Sequence, residues 1–176
     1  MEHLTLMQQC QAIRLLALDV DGVLTDESLF YTEHGDFKCF NAKDGLALRL
    51  LVDSNIHVAI VTGRKSQAVC KRMAELKITD ILEGVENKRI ALENLQKKWG
   101  LPWKNIAFMG DDLIDLPAFK CCGLKLAPQN ACEEVLNIAD WVSSKPGGKG
   151  AVRQAAELLL KAQGIWQNWV QHFENQ

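Results

Sequence analysis

Four short polar groups in the sequence have the residue types and spacing for work on a phosphate. Asp19 and Asp21 stand one residue apart, directly after the apolar run LLAL. Thr62-Gly63-Arg64 close a second apolar run, Lys88 follows a third, and Gly110-Asp111-Asp112 end a fourth. Each alone has an ordinary reading: a polar loop, common turn chemistry, a solvated helix lysine, a turn with an aspartate N-cap. Together they suit phosphoryl transfer. Converging carboxylates repel one another unless a hard cation sits among them, and Mg²⁺ takes a few oxygens while keeping waters. Such a cation keeps Asp19 ionised as a nucleophile. Asp21, two residues on and so on the same face of an extended chain, can protonate a leaving oxygen and later deprotonate a water. Thr62 with nearby N–H groups can hold phosphoryl oxygens, and Lys88 can offset transition-state charge. Gly22, Gly63 and Gly110 let backbone approach closely.

For these groups to meet, the chain must bring four strand ends to one edge. Short apolar runs predict strands over 15–19, 57–62, 80–82, 106–110, 124–127 and 141–143. Segments of helical period predict helices near 44–54, 65–77, 88–100, 112–121, 131–138 and 149–162. Leu92, Leu95 and Trp99, at i, i+3 and i+7, form one apolar stripe of the third helix. Steady strand–helix alternation predicts an α/β fold: a doubly wound, Rossmann-like, mostly parallel sheet with helices on both faces. Ligands then bind beyond the carboxyl ends of the strands. The interval from about 26 to 40 breaks the rhythm, with β-prone runs on either side of EHGD, and predicts a small β-hairpin inserted after strand 1. His34 falls at its tip. No second domain, repeat or low-complexity tract is visible, so 1–176 is expected to form one domain.

Composition narrows the class. The 176 residues are 48% hydrophobic and 24% charged, ordinary for a soluble globular domain, and the net charge of −2 gives no basic footprint for nucleic acid or anionic membrane. No apolar run approaches the roughly 20 residues of a membrane helix, and the first residues lack the pattern of a secretion signal. The six cysteines, Cys10, Cys39, Cys70, Cys121, Cys122 and Cys132, are irregularly spaced, without a C-x-x-C pair or a zinc-site cluster. A reduced, cytoplasmic protein is expected. His3, His34, His57 and His172 are scattered and carry no catalytic pattern.

With DVDGVLT (19–25), VTGR (61–64), Lys88 and GDDLID (110–115), the sequence resembles the haloacid dehalogenase superfamily of aspartate-nucleophile phosphohydrolases. The D-x-D form implies a phosphatase, and a hairpin in place of a cap domain implies the capless subgroup. Through FNAKDGLALRLL (40–51), VAIVTGRKS (58–66), GDDLIDLP (110–117) and GGKGAVRQAAELLLKAQG (147–164), it is similar to members that hydrolyse sugar-acid phosphates, octulosonate and nonulosonate esters among them. The resemblance implies Mg²⁺ as cofactor, held by Asp19, the Asp21 carbonyl and Asp111, with Asp112 one layer out. It implies Asp19 as nucleophile, Asp21 as acid/base, and Thr62 and Lys88 at the phosphate. It places Asn41, Ala42, Lys43, Asp44, Gly45, Arg49, Gly63, Arg64 and Arg72 at the substrate. It also implies a homotetramer in which a neighbouring subunit closes the site.

The residues agree in part. Arginine suits planar anions, and Arg64 and Arg72 lie about two helical turns apart, although Arg49 and Arg72 could equally be solvated helix charges. The hairpin's LFY run and Trp166, Trp169, Val170 and Phe173 of the tail (about 164–176) are either apolar surface for an assembly or packing on the chain's own core. Gly147-Gly148-Lys149-Gly150 lacks the nucleotide P-loop pattern and is expected to be a flexible element near the site entrance, with Lys149 facing substrate. Asp26 gains no role. A phosphate-accepting receiver module is the main non-enzyme rival. It places its acid pair after the first strand and its lysine late, whereas here Lys88 precedes Asp111-Asp112.

Overall fold

The computed structural model describes residues 4–33 and 35–176, so His3 and His34 lie outside the described residues. Six strands form the main sheet: β1 (Leu15–Leu18), β4 (His57–Val61), β5 (Asp80–Leu82), β6 (Ile106–Met109), β7 (Leu124–Ala127) and β8 (Trp141–Val142). They pair in the order β5-β4-β1-β6-β7-β8, every pair parallel. β1 is central, with Leu18 opposite Ile60 on one side and Met109 on the other. The chain winds outward through β4 and β5, then crosses back to β6 and winds the other way. The reversal leaves a crevice between β1 and β6, beyond their carboxyl ends, which is where an open α/β sheet binds its ligands.

The period-2 alternation of the strands divides the core in two. Leu16 and Leu18 of β1, Val58 and Ile60 of β4, and Ala107 and Met109 of β6 face one layer. That layer holds α1 (Leu6–Ala12), α2 (Ala42–Asp53), α3 (Gln67–Glu75) and α7 (Ala151–Ala162). Leu15 and Ala17, Ala59 and Val61, and Ile106 and Phe108 face the opposite layer of α4 (Lys88–Trp99), α5 (Leu116–Phe119) and α6 (Glu133–Leu136). Burial on both faces explains why β1 reads as an unbroken apolar run. The hairpin is a separate antiparallel pair, β2 (Phe30–Thr32) with β3 (Gly35–Phe37).

The expected elements occur, with shifted ends. Residues 112–121 divide into a 3₁₀ turn, Leu113–Asp115, and the short α5, because Asp112 caps the turn and Pro117 sits in the first turn of α5. Two helices had no counterpart in the sequence reading. α1 begins on a capping box in which Thr5 and Gln8 satisfy each other's backbone N–H. The tail forms α8 (Trp166–Glu174), which docks on its own core through Ile165, Trp166 and Trp169, with Trp169 Nε1 donating to Ser54 Oγ at 2.8 Å. Of the two uses open to the tail's tryptophans, packing on the chain itself is the one seen. Phe173 remains 48% exposed.

Candidate active site

Asp19 is the first residue beyond β1, and its N–H still donates to Met109 O of β6 at 3.0 Å, so the ladder carries it to the crevice mouth. The chain then curls tightly, with Leu24 and Thr25 N–H both donating to Val20 O. The curl requires Gly22, at φ +89°, where a Cβ would overlap the carboxylate of Asp111. The loop after β1 and the loop after β6 are therefore in contact at this glycine. A second loop locks the curl from behind. Gly148 N donates to Val23 O at 3.0 Å, and a Cβ on Gly147 would strike the Gly22 carbonyl.

Lys88, first residue of α4 and 2% exposed, spans the crevice floor. Its Nζ lies 2.9 Å from Asp19 Oδ2 and 2.5 Å from Asp115 Oδ1. The other oxygen of Asp115 accepts the N–H groups of Asp111, at 2.9 Å, and Asp112, at 3.2 Å. Asp115 is fully buried and is the residue the spacing did not single out. Its signal was available in Asp112-Leu-Ile-Asp115, a capping pattern across a turn. Asp112 is exposed and accepts from Leu113 N at 2.7 Å, while Asp115 occupies the inner position.

One oxygen from each of Asp19, Asp111 and Asp115 falls within a common 4.8 Å. Burial, only partly offset by Lys88, pushes Asp19 up to about 6. Burial and the charges of Asp115 and Asp19 push Asp111 up to about 8. Burial alone would lower the Lys88 ammonium, yet Asp19 and Asp115 hold it above its ordinary value. Asp111 Oδ1 is buried with no hydrogen-bond partner among the described residues. An orphaned carboxylate oxygen beside a second carboxylate is the donor set a hard cation takes. Because both oxygens of Asp115 are already engaged, Asp19 and Asp111 are the side chains free to hold it.

Asp21 lies at the crevice rim, 22% exposed at its side chain, with both oxygens engaged. Lys38, just past β3, pairs with Oδ1, and Arg64 Nε lies 3.5 Å from Oδ2. Arg64 Nη1 also donates to Tyr31 Oη of β2 at 3.0 Å. Lys38 and Tyr31 were not marked by spacing, since a hairpin gives no hint of which residues fold back to the site. Thr62 is buried at the end of β4, its hydroxyl accepting Arg64 N at 3.3 Å. Gly63 is exposed above it. Lys38, Arg64, Lys65 and the hairpin aromatics line a cleft of about 270 Å³ opening onto this rim.

The segment 41–45 has mainly structural contacts. Asn41 caps α2, accepting Lys43 N at 2.8 Å, and its Nδ2 reaches Gly148 O at 3.4 Å. Asp44 is buried and accepts Arg153 N at 2.7 Å, capping α7, whose N-cap Gly150 has no side chain for the task. Ala42 and Lys43 are exposed. Gly45 is where α2 meets the guanidinium of Arg72, which also pairs with Glu75 at 3.1 Å. Arg49 pairs with Asp53, one turn further along α2, at 2.8 Å. Lys149, its side chain 58% exposed, pairs with Asp26 at 3.0 Å, and its loop is held to the protein at Gly147 and Gly148.

Residues 77–154 match the haloacid dehalogenase-like hydrolase family. The chain is 44% identical over 159 residues to 3-deoxy-D-manno-octulosonate 8-phosphate phosphatase KdsC of Escherichia coli (strain B / BL21-DE3), covering 90% of this chain and 85% of that protein. The crystal structure of the Moraxella catarrhalis 3-deoxy-D-manno-octulosonate 8-phosphate phosphatase, in complex with a magnesium ion, a phosphate ion and KDO, superposes with a TM-score of 0.92. It is 40% identical, covering 95% of this chain and 97% of that one. A cobalt-bound form of the Haemophilus influenzae enzyme, 40% identical, gives a TM-score of 0.88 over 90% of this chain and 94% of that one. The chain belongs to the haloacid dehalogenase-like hydrolases and, among them, to the family of these octulosonate 8-phosphate phosphatases. That membership sets aside the receiver-module reading.

Proposed function

We propose that this protein hydrolyses 3-deoxy-D-manno-octulosonate 8-phosphate to 3-deoxy-D-manno-octulosonate and inorganic phosphate, a step of lipopolysaccharide precursor synthesis, through an aspartyl-phosphate. The observation that carries the reading is the Asp19–Lys88–Asp115 cluster beside the orphaned Asp111 oxygen. A carboxylate is held at the mouth of a crevice, already paired with a cation, with a place for a second. Mg²⁺ bound by Asp19, Asp111 and the Asp21 carbonyl would keep the carboxylates ionised and neutralise phosphoryl charge.

This chain's residues divide the work. Lys88 fixes the Asp19 carboxylate, and Thr62 with its adjoining N–H groups faces the phosphoryl oxygens. An Asp19 oxygen forms a bond to phosphorus as the bond to the sugar oxygen breaks, and Asp21 gives its proton to that oxygen. Water then attacks the aspartyl-phosphate and loses a proton to Asp21. The bond from phosphorus to Asp19 breaks, releasing phosphate and restoring both carboxyl groups to their starting forms. Arg64 and Lys65 on the cleft wall suit a substrate bearing a carboxylate as well as a phosphate. Asn41, Gly45 and Arg72 are further substrate contacts in this reading.

The exposed apolar hairpin, with Leu29 at 42%, Phe30 at 49%, Tyr31 at 73% and Phe37 at 59%, supports a homotetramer whose hairpins pack together and whose neighbouring subunits close the sites. Six free cysteines support a cytoplasmic location. Among the described residues no helix is long and apolar enough to cross a membrane. The deciding experiment is kcat/KM with Mg²⁺ on a panel of sugar phosphates that includes octulosonate and nonulosonate esters. Preference for the octulosonate 8-phosphate is expected. A preference for the nonulosonate 9-phosphate would move the substrate within the class, and preference for an unrelated ester would overturn it.

A further inference from the structure

Asp21 is gripped by two cations that differ in kind. The Arg64 side chain is 52% exposed, lies 3.5 Å from Oδ2 and shares its guanidinium with Tyr31. The Lys38 side chain is only 4% exposed and, among the described residues, takes Oδ1 alone. A buried ammonium with one partner cannot leave it without stranding a charge, whereas an exposed guanidinium can turn to an incoming anion at little cost. From this asymmetry we infer that Lys38 is the positioning residue for Asp21. It anchors Oδ1 so that Oδ2, on the side of the exposed Arg64, is the oxygen that carries the proton. Lys38 does not itself donate or accept the transferred proton. It holds the carboxyl plane while substrate draws Arg64 away, and so ties the acid/base to the hairpin.

The inference rests on the acid/base reading of Asp21, and leaving-group chemistry separates the two. A sugar alkoxide needs a proton as it departs, whereas p-nitrophenolate does not, and kcat/KM reports only steps through phosphorylation of Asp19. Lys38→Met is therefore expected to lower kcat/KM on the sugar-acid 8-phosphate by about 10- to 100-fold, part of the 10²–10⁴ that general acid catalysis supplies. It should change kcat/KM on p-nitrophenyl phosphate by less than about 3-fold, with Lys38→Arg restoring most of the sugar-ester rate. Asp21→Asn must show the same split more strongly. If it does not, the acid/base reading fails. If Asp21→Asn shows the split and Lys38→Met does not, the positioning role alone fails. Equal losses on both esters in Lys38→Met and again in Lys38→Gln would make Lys38 a phosphate contact or a structural residue, and would also overturn the inference.

Discussion

Replacing Asp115 by asparagine tests the buried cluster at its least conspicuous member. One oxygen of Asp115 accepts from the Lys88 ammonium at 2.5 Å, and the other from two backbone N–H groups, at 2.9 and 3.2 Å. Every group hydrogen-bonded to this carboxylate is a donor. An asparagine must therefore point its NH₂ either at the ammonium or at the two N–H groups, whichever way the amide is turned. Losing a charge-assisted hydrogen bond costs about 1.5–3 kcal/mol, and leaving buried donors opposed adds about 1–3 kcal/mol. Against this, Asp115 is the largest charge contribution raising Asp111, so its removal relieves repulsion. The net expectation is a loss of about 2–4 kcal/mol, which in a chain of this size lowers Tm by roughly 5–15 °C. Differential scanning fluorimetry on metal-free protein reads this directly. In the same variant, carboxyl NMR should find Asp111 titrating lower than in the wild type, because the largest charge raising it is gone. A melting temperature within about 2 °C of wild type would refute the claim that Asp115 is the acceptor on which the crevice floor is built.

Gly22→Ala places a methyl group against the Asp111 carboxylate at a residue of φ +89°, and should cut Mg²⁺ affinity by at least 10-fold while Tm with chelator falls much less, as isothermal titration would show. Asp44→Ala removes the cap on α7 at Arg153 N and should cost about 1 kcal/mol by urea unfolding. Asp111 and Asp19 bind protons more tightly folded than unfolded, so the stability they contribute is present below about pH 4. It is lost as pH rises through about 6 and then about 8. Metal-free protein should therefore melt lower at the alkaline end of that window, and Mg²⁺, which needs the ionised carboxylates, should raise Tm more there than at the acid end.

The sheet was legible because its central strands β1, β4 and β6 are apolar runs, buried almost throughout, that lead into Asp19, Thr62 and Gly110-Asp111. β5 and β7 begin and end where the pattern places them. The four polar groups meet at one crevice because β1, β4 and β6 are adjacent and parallel, a consequence of the alternation with helices. What stayed hidden is what depends on neighbours distant in sequence. Asp115 sits inside a motif whose two preceding acids drew the attention, and only burial shows that it, not Asp112, faces Lys88. Asp44 is next to residues that border the site, yet its carboxylate serves a helix that begins more than a hundred residues later. Lys38 reaches Asp21 only because the hairpin folds back, which no periodicity encodes.

The contact of Gly147 and Gly148 with the Gly22–Thr25 curl also governs when the site comes into being. A chain emerging from the ribosome presents Asp19 early, but the loop that locks the curl comes after β8, and the Asp44 cap has no helix to serve until α7 follows. An N-terminal fragment that stops short of this loop would contain Asp19, Asp21, Lys88 and Asp111 and still lack the locked geometry. Completion of the nucleophile's surroundings is thus deferred until the chain is nearly whole.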